Sequence, residues 1–261
     1  MDIVLLKLGG SLITEKSRAE TPRPEVIARL AGEIARAAGQ VPFRLVAGHG
    51  SGSFGHVAAR ESGIAQGLHS REQLPGVSRT QERAAALHHL VIQALEEAGA
   101  LPFSLAPSSC MVAAAGRPVA IHDEPLLLAL ESGLLPVLYG DVVMDRERGV
   151  SICSTETVFD AVARRLLERG HAVRRAVWLG ETDGLYDAEG KTIPRVSAAE
   201  LDRSVLGDPS GTDVTGGMRH RIESALELAR MGVPSLLING LRAGELERAL
   251  RGEAVQGTEV V

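Results

Sequence analysis

Apolar and polar positions along this chain follow two alternating periods. Short apolar runs that end in glycine or a charge are separated by stretches with apolar residues three and four apart. The runs Ile3–Leu8, Phe43–Ala47, Leu101–Leu105, Leu134–Leu138, Ala176–Leu179 and Ser235–Ile238 predict strands. A helix is predicted from about Arg23 to Ala38, with Pro24 in its first turn and Gly39 at its end. Another runs Ser78–Ala98, with Ser78 and Gln81 as a capping box and Gly99 as its stop. Further helices are expected at Phe54–Glu61, from Asp123 to Gly133, at Thr155–Arg169, and near Gly216–Met231 and Ala243–Arg251. Val142–Met144 and Val150–Cys153 flank a charged, glycine-ended turn and read as a hairpin. This alternation implies an α/β fold with a mostly parallel sheet covered by helices on both faces. Neither a repeat nor a composition break divides the 261 residues, so they read as one domain. The turn-rich stretch Asp187–Asp213 reads as an excursion from the sheet that covers a site.

Composition narrows the function classes. The net charge of -5 argues against a nucleic-acid-binding surface. No apolar run approaches the roughly 18–20 residues of a spanning helix, and Ile3–Leu6 reads as a buried strand, not as a signal peptide. Cys110 and Cys153, without a CxxC pair, suit a reducing cytoplasm and suggest neither a disulfide framework nor a metal site. Of 28 basic side chains only Lys7, Lys16 and Lys191 are lysine. Two of these fall in the first 16 residues, where a compact ammonium is wanted.

Candidate chemistry collects after the strands, where open α/β sheets bind ligands. Lys7-Leu8-Gly9-Gly10-Ser11 reads either as an anion-binding turn with Lys7 and Lys16 nearby or as a tight turn with solvated lysines. Gly48–His56 contains a GxGxxG from Gly50 to Gly55. It follows the second strand and lacks an acidic partner about 20 residues on, which sets the dinucleotide reading aside. Its backbone donors remain, with Ser51, Ser53 and His56 as side-chain donors; His56 reads equally as ligand or as structural histidine. Asp213–Arg221 opens a helix at Gly216-Gly217 with Arg219, His220 and Arg221 in its first turns. Cations there oppose the helix dipole unless an anion binds or the arginines turn to water. Thr182-Asp183-Gly184 supplies an acidic loop suited to a ribose or to Mg²⁺-phosphate, or a simple Asp-Gly turn.

Taken in order, Lys7–Ser11, Gly50–His56, Gly140-Asp141, Thr182–Asp187 and Asp213–Met218 resemble the amino acid kinase family across essentially the whole chain. Within it, Phe54-Gly55-His56, Lys16 nine residues after Lys7, and the closing Gly257-Thr258-Glu259 are similar to the isopentenyl phosphate kinase branch. The resemblance implies an open three-layer αβα sandwich, an acceptor lobe over about 1–150 and a nucleotide lobe over about 151–261. It implies a cytoplasmic homodimer of isoprenoid biosynthesis, in an alternative mevalonate route, that uses ATP and Mg²⁺ to phosphorylate isopentenyl phosphate. On the same footing, Lys7, Leu8, Gly9, Gly10 and Ser11 meet the transferred phosphate and Lys16 stabilises the transition state. Ser51 and Gly52 supply backbone donors, Ser51 to the acceptor and Gly52 to ATP, while His56 binds the acceptor phosphate and Asp183, Gly216 and Gly217 hold ATP.

Two positions depart from the family pattern. Arg221 stands where relatives commonly have lysine, and Ser154-Thr155-Glu156-Thr157 stands in place of SGDD. Arg221 is expected at ATP with altered geometry. Thr155 is expected at the acceptor phosphate through its amide, with its hydroxyl as an added contact. A phosphomonoester already carries its nucleophilic oxygen, so a carboxylate base is neither found nor required. Two other readings share these motifs: a kinase for a fosfomycin-type phosphonate or an acyl amino acid, and a non-catalytic nucleotide sensor. Lys7, Lys16 and His56 together speak against the sensor.

Overall fold

The structure is a computed structural model that describes residues 1–15, 17–197, 199 and 216–261, apart from the side chain of His56. The chain begins with β1 (Asp2–Leu8), α1 (Gly10–Ile13), α2 (Pro24–Ala38), β2 (Arg44–His49), α3 (Gly52–Glu61) and α4 (Leu74–Glu97). There follow β3 (Pro102–Ser104), α5 (Pro107–Cys110), β4 (Met111–Ala114), β5 (Arg117–Ile121), α6 (Glu124–Glu131), β6 (Leu135–Tyr139), β7 (Asp141–Asp145) and β8 (Gly149–Cys153). The last elements are α7 (Thr155–Glu168), β9 (Ala172–Gly180), β10 (Arg195–Val196), α8 (Gly216–Arg230), β11 (Ser235–Asn239), α9 (Glu245–Arg251) and β12 (Gly257–Val260).

Eight strands form the main sheet in the order β10-β12-β11-β9-β1-β2-β6-β3. Among the described residues, its strands pair parallel except for β11 with β12. The apolar run of β1 is explained by its central place, with β2 on one side and β9 on the other. Alternate β1 side chains enter two cores. Ile3 and Leu5 pack with α6, α7 and α8, while Val4, Leu6 and Leu8 pack with α2, α4 and α9. These are the three layers expected of an αβα sandwich. Lys7 has the parity of Ile3 and Leu5, so its side chain emerges on the face that α7 and α8 cover.

Two local expectations need correction. Helix α4 starts at Leu74, one turn before Ser78, because Pro75 is tolerated in a first turn. The capping interaction lies earlier still, where Gln73 Oε1 accepts from the amides of His69 and Ser70 at 2.7 and 3.1 Å. The hairpin of β4 and β5 was not expected. It turns at Ala115 and Gly116, both at positive φ, and joins β7 and β8 in a second sheet of order β5-β4-β7-β8. Asp145 ties the two hairpins together by accepting from the amides of Gly116, Glu147 and Arg148 and from the Ser151 hydroxyl. Of the predicted excursion at Asp187–Asp213, the structure describes a turn at Asp187–Lys191 and β10. Most of its remainder lies outside the described residues.

Beneath the end of β2 lies an imidazole chain. His49 Nε2 is 2.9 Å from His88 Nδ1, and His88 Nε2 is 2.8 Å from Ser104 Oγ. Tyr139 stacks on both rings. Burial pushes His49 down to about 4 and His88 to about 3, so both are neutral in the native state. The unfolded chain binds protons at these sites from about pH 6.5 downward, before the folded protein does. Stability therefore falls as pH drops from about 6.5 to 4, by an amount on the order of 3 kcal/mol for a fully buried histidine shifted this far. A His88→Gln variant should show a shallower fall of Tm over that range than the wild type. Identical slopes would contradict the assignment.

Candidate functional site

Two glycine turns meet back to back at the carboxyl ends of β1 and β2. A Cβ on Gly10 would lie 2.7 Å from the Gly52 nitrogen, and one on Gly50 would lie 2.9 Å from the Gly10 nitrogen. Any side chain at these positions would push the turns apart. Thr14 fixes their register: its hydroxyl donates to the Gly10 carbonyl at 2.8 Å and accepts from the Ser53 amide at 3.0 Å. Gly10 and Gly52 are the first residues of α1 and α3. Their amides have no acceptor within their own helices, as at any helix start.

A third helix start comes from α7. Ser154 caps it by accepting from the Thr157 amide at 3.2 Å, leaving the Thr155 and Glu156 amides in the first turn without an intrahelical acceptor. The Thr155 hydroxyl does not add an acceptor contact as expected. It is buried and donates to the His49 carbonyl at 2.6 Å, which fastens α7 to the second glycine turn. Glu156, next in sequence, forms a buried ion pair with Lys7. Burial would raise the Glu156 carboxyl, but the Lys7 ammonium overcomes this and holds it below the usual carboxylate range. Lys7 is pushed down by burial and by Arg221, against the pull of Glu156.

Arg221, in the second turn of α8, is the other buried cation. Its guanidinium lies over Gly180, where a Cβ would come 2.2 Å from an Arg221 terminal nitrogen. Its Nε is buried without a hydrogen-bond partner among the described residues. Arg219 and His220, by contrast, are exposed and pair with Glu223, though His220 also lines the cavity. The crowding of cations seen in the sequence thus resolves into one buried and two exposed.

These groups line one cavity of about 770 Å³. It takes in Lys7, Gly9, Gly10, Ser11, Ser51, Gly52, Thr155 and Arg221, all expected at a site. Leu8 is a correction: its side chain belongs to the core, and its carbonyl accepts from the Gly50 amide at 3.0 Å. Asp183 lines an adjoining pocket of about 420 Å³ with Tyr186, Lys191, Thr192 and Gln256. Its carboxylate accepts from Asn239 at 2.9 Å and from Arg242 at 2.6 Å. Gly216 and Gly217 are the first residues of α8. Lys16, the His56 side chain and the Asp213–Thr215 part of the motif lie outside the described residues.

Sequence reasoning gave no site role to Glu156 or Glu181 and named Thr182 only as part of the acidic loop; all three line the main cavity. The acidic third position of the SGDD slot was the signal for Glu156. Thr182 Oγ1 is buried without a partner among the described residues, as expected of a group awaiting a ligand. A cavity with two buried cations, one internal carboxylate and several helix-start amides that lack an intrahelical acceptor suits a polyanion.

Comparison with known proteins agrees. Residues 2–239 match the amino acid kinase family. The isopentenyl phosphate kinase of Methanothermobacter thermautotrophicus is 35% identical, over 99% of this chain and 98% of its own length. That of Thermoplasma acidophilum is 31% identical, over 91% and 92%. A solved isopentenyl phosphate kinase structure superposes with a TM-score of 0.81 at 31% identity, covering 98% of this chain and 99% of its own.

Gly180→Ala places a methyl group where the Arg221 guanidinium now lies. We expect pyrophosphate affinity, measured by calorimetry, to fall roughly tenfold, as when a charge-assisted contact is lost. Unchanged affinity would show that Arg221 does not face the anion.

Proposed function

The chain belongs to the amino acid kinase family, and on that premise we propose that it transfers the γ-phosphoryl group of ATP to isopentenyl phosphate, giving isopentenyl diphosphate and ADP. The observation that carries this reading is the placing of Lys7 and Arg221 on one cavity with the Gly52 amide at the start of α3 and the Thr155 amide at the start of α7, neither of which has an acceptor within its own helix. Two anions must be brought together there, and their repulsion is the main obstacle. The acceptor's phosphate oxygen is already a nucleophile, so alignment and charge neutralisation provide the catalysis. Glu156 acts as a spacer, not as a base: its negative charge lets two cations share a buried site before substrate arrives.

In this reading the acceptor phosphate lies against Ser51, Gly52, His56 and the Thr155 amide. Its alkenyl tail runs along Val57, Ala59, Ala65 and Ile152, the apolar wall of the same cavity. Lys7 with Gly9, Gly10 and Ser11 meets the transferring group, and Lys16 acts most strongly in the transition state. Arg221, Gly216 and Gly217 hold the ATP phosphates, and the pocket at Asp183 receives the nucleoside end. This division corresponds to an acceptor lobe over about 1–150 and a nucleotide lobe over about 151–261. Mg²⁺ comes with the nucleotide. Bound to the phosphates, it would add neutralising charge. No helix among the described residues is long and apolar enough to cross a membrane. We place the enzyme in the cytoplasm, as a homodimer.

A purified sample with Mg²⁺-ATP should convert isopentenyl phosphate to its diphosphate, and should do so faster than it phosphorylates fosfomycin or an acyl amino acid. Faster turnover of either competitor would overturn the acceptor assignment. Lys16→Ala should lower kcat by about 10²–10³ with little change in KM, the loss expected when transition-state charge is left uncompensated. His56→Ala should raise the acceptor KM and lower kcat while ATP binding stays nearly unchanged. Wild-type kinetics in either variant would remove that residue from the mechanism.

A further inference from the structure

The facing sides of α7 and α8 carry a line of polar groups that starts at the cavity and runs away from it. Glu156 and Asp160 lie four residues apart on α7, and Arg221 and Ser224 lie three apart on α8, so each pair shares a helix face. Ser224 Oγ donates to Asp160 Oδ1 and also lies 3.3 Å from the Glu156 carbonyl oxygen. Farther along, Arg164 donates to Glu227 at 2.7 Å. Ser224 is buried, and Asp160 is partly buried between the helices. Neither touches the cavity, so binding does not account for this polar contact.

We propose that Asp160 and Ser224 are positioning residues. Their hydrogen bond locks the turn of α8 that bears Arg221 against the turn of α7 that bears Glu156. It thereby sets the spacing at which Lys7, Glu156 and Arg221 meet the transferring phosphate. α8 needs such a lock because it carries one buried cation into a site whose other buried charges, Lys7 and Glu156, lie on β1 and α7. Apolar packing through Ile222, Ala225 and Leu226 holds α8 to the core but does not fix its axial position as a directional bond does.

The lock is sensitive to pH. Burial raises the Asp160 carboxyl to about 7, aided by Glu227 and Glu156 and opposed by the Ser224 hydrogen bond and by Arg164. These are the groups that face it from α7 and α8. Above that value the Ser224 hydroxyl donates to a carboxylate, a charge-assisted bond roughly twice as strong as a neutral one. Below it the bond joins two neutral groups, and the Ser224 proton can turn to the Glu156 carbonyl. The clamp is therefore tighter on the alkaline side.

This inference rests on the kinase reading, and the test separates the two. Turnover of isopentenyl phosphate is measured from pH 6 to 8.5 for the wild type, Asp160→Asn and Ser224→Ala, with Tm recorded for each. Asp160→Asn keeps the shape and a hydrogen-bonding group but cannot titrate. The ratio of wild-type to Asp160→Asn kcat should rise from near unity at pH 6 to about fivefold at pH 8.5, as the charged bond is gained only in the wild type. Titration of the acceptor phosphate is common to both enzymes and cancels in the ratio. Ser224→Ala should lower kcat about tenfold at pH 8.5 with KM values within about twofold, the pattern of a group that acts through geometry. A ratio that stays flat across the range, or wild-type kcat in Ser224→Ala, would overturn the proposal. A wild-type enzyme inert toward isopentenyl phosphate would count against the acceptor assignment; the same ratio, read with whichever acceptor it does phosphorylate, would then decide for or against the lock.

Discussion

The ion pair between Lys7 and Glu156, with Arg221 beside it, is the constraint around which the site is arranged. Buried charges are costly unless each is compensated, and losing one partner from such a group is worse than never having built it. Three elements from distant parts of the sequence must therefore arrive together. β1 brings Lys7 because it is central, parallel and of the right parity. α7 brings Glu156 in its first turn, where the helix dipole favours a carboxylate. α8 brings Arg221 over Gly180, the last residue of β9, a strand that pairs directly with β1. The group retains one net positive charge, and the unpaired amides beside it add partial charges of the same sign. A phosphate-rich ligand completes what the protein leaves unbalanced.

Much of this was legible in the sequence. The glycine turns, the early lysines and the order of the motifs could be read because each is local, a few residues that announce a close backbone approach or an anion site. The layered α/β architecture could be read for the same reason, since hydrophobic periodicity is a local signal. Glu156 could not be read in this way. Its partner lies 149 positions away, and in sequence it is one acid in a run of threonines and serine. Arg221 was singled out by its place three residues after Met218, where relatives commonly have lysine, but its burial and its fit over Gly180, which set it apart from exposed Arg219, are tertiary. The Thr155 hydroxyl was assigned to ligand because the His49 carbonyl that takes it lies at the end of β2, far away in the sequence. The missed β4–β5 hairpin rests on two residues at positive φ, one of them an alanine, a type that gives little warning of such a turn.

The site also explains how transfer proceeds without a base. In the proposed arrangement each anion would have its own set of donors, and the apolar side chains Val57, Ala59, Ala65 and Ile152 line the same cavity. On that proposal, selectivity for a short hydrocarbon tail and neutralisation of phosphate would fall to different walls of one cavity. Packing residues can vary there without disturbing the charged group.

The most direct measurement of the central claim is a structure of the protein with isopentenyl phosphate and a non-hydrolysable ATP analogue. The account predicts both terminal phosphates in the main cavity. Lys7 and Arg221 should contact the nucleotide's γ-phosphate, the first-turn amides of α3 and α7 should contact the acceptor, and Glu156 should remain on Lys7. Phosphates seated away from Lys7 and Arg221, or Glu156 itself contacting the acceptor oxygen in place of Lys7, would contradict it.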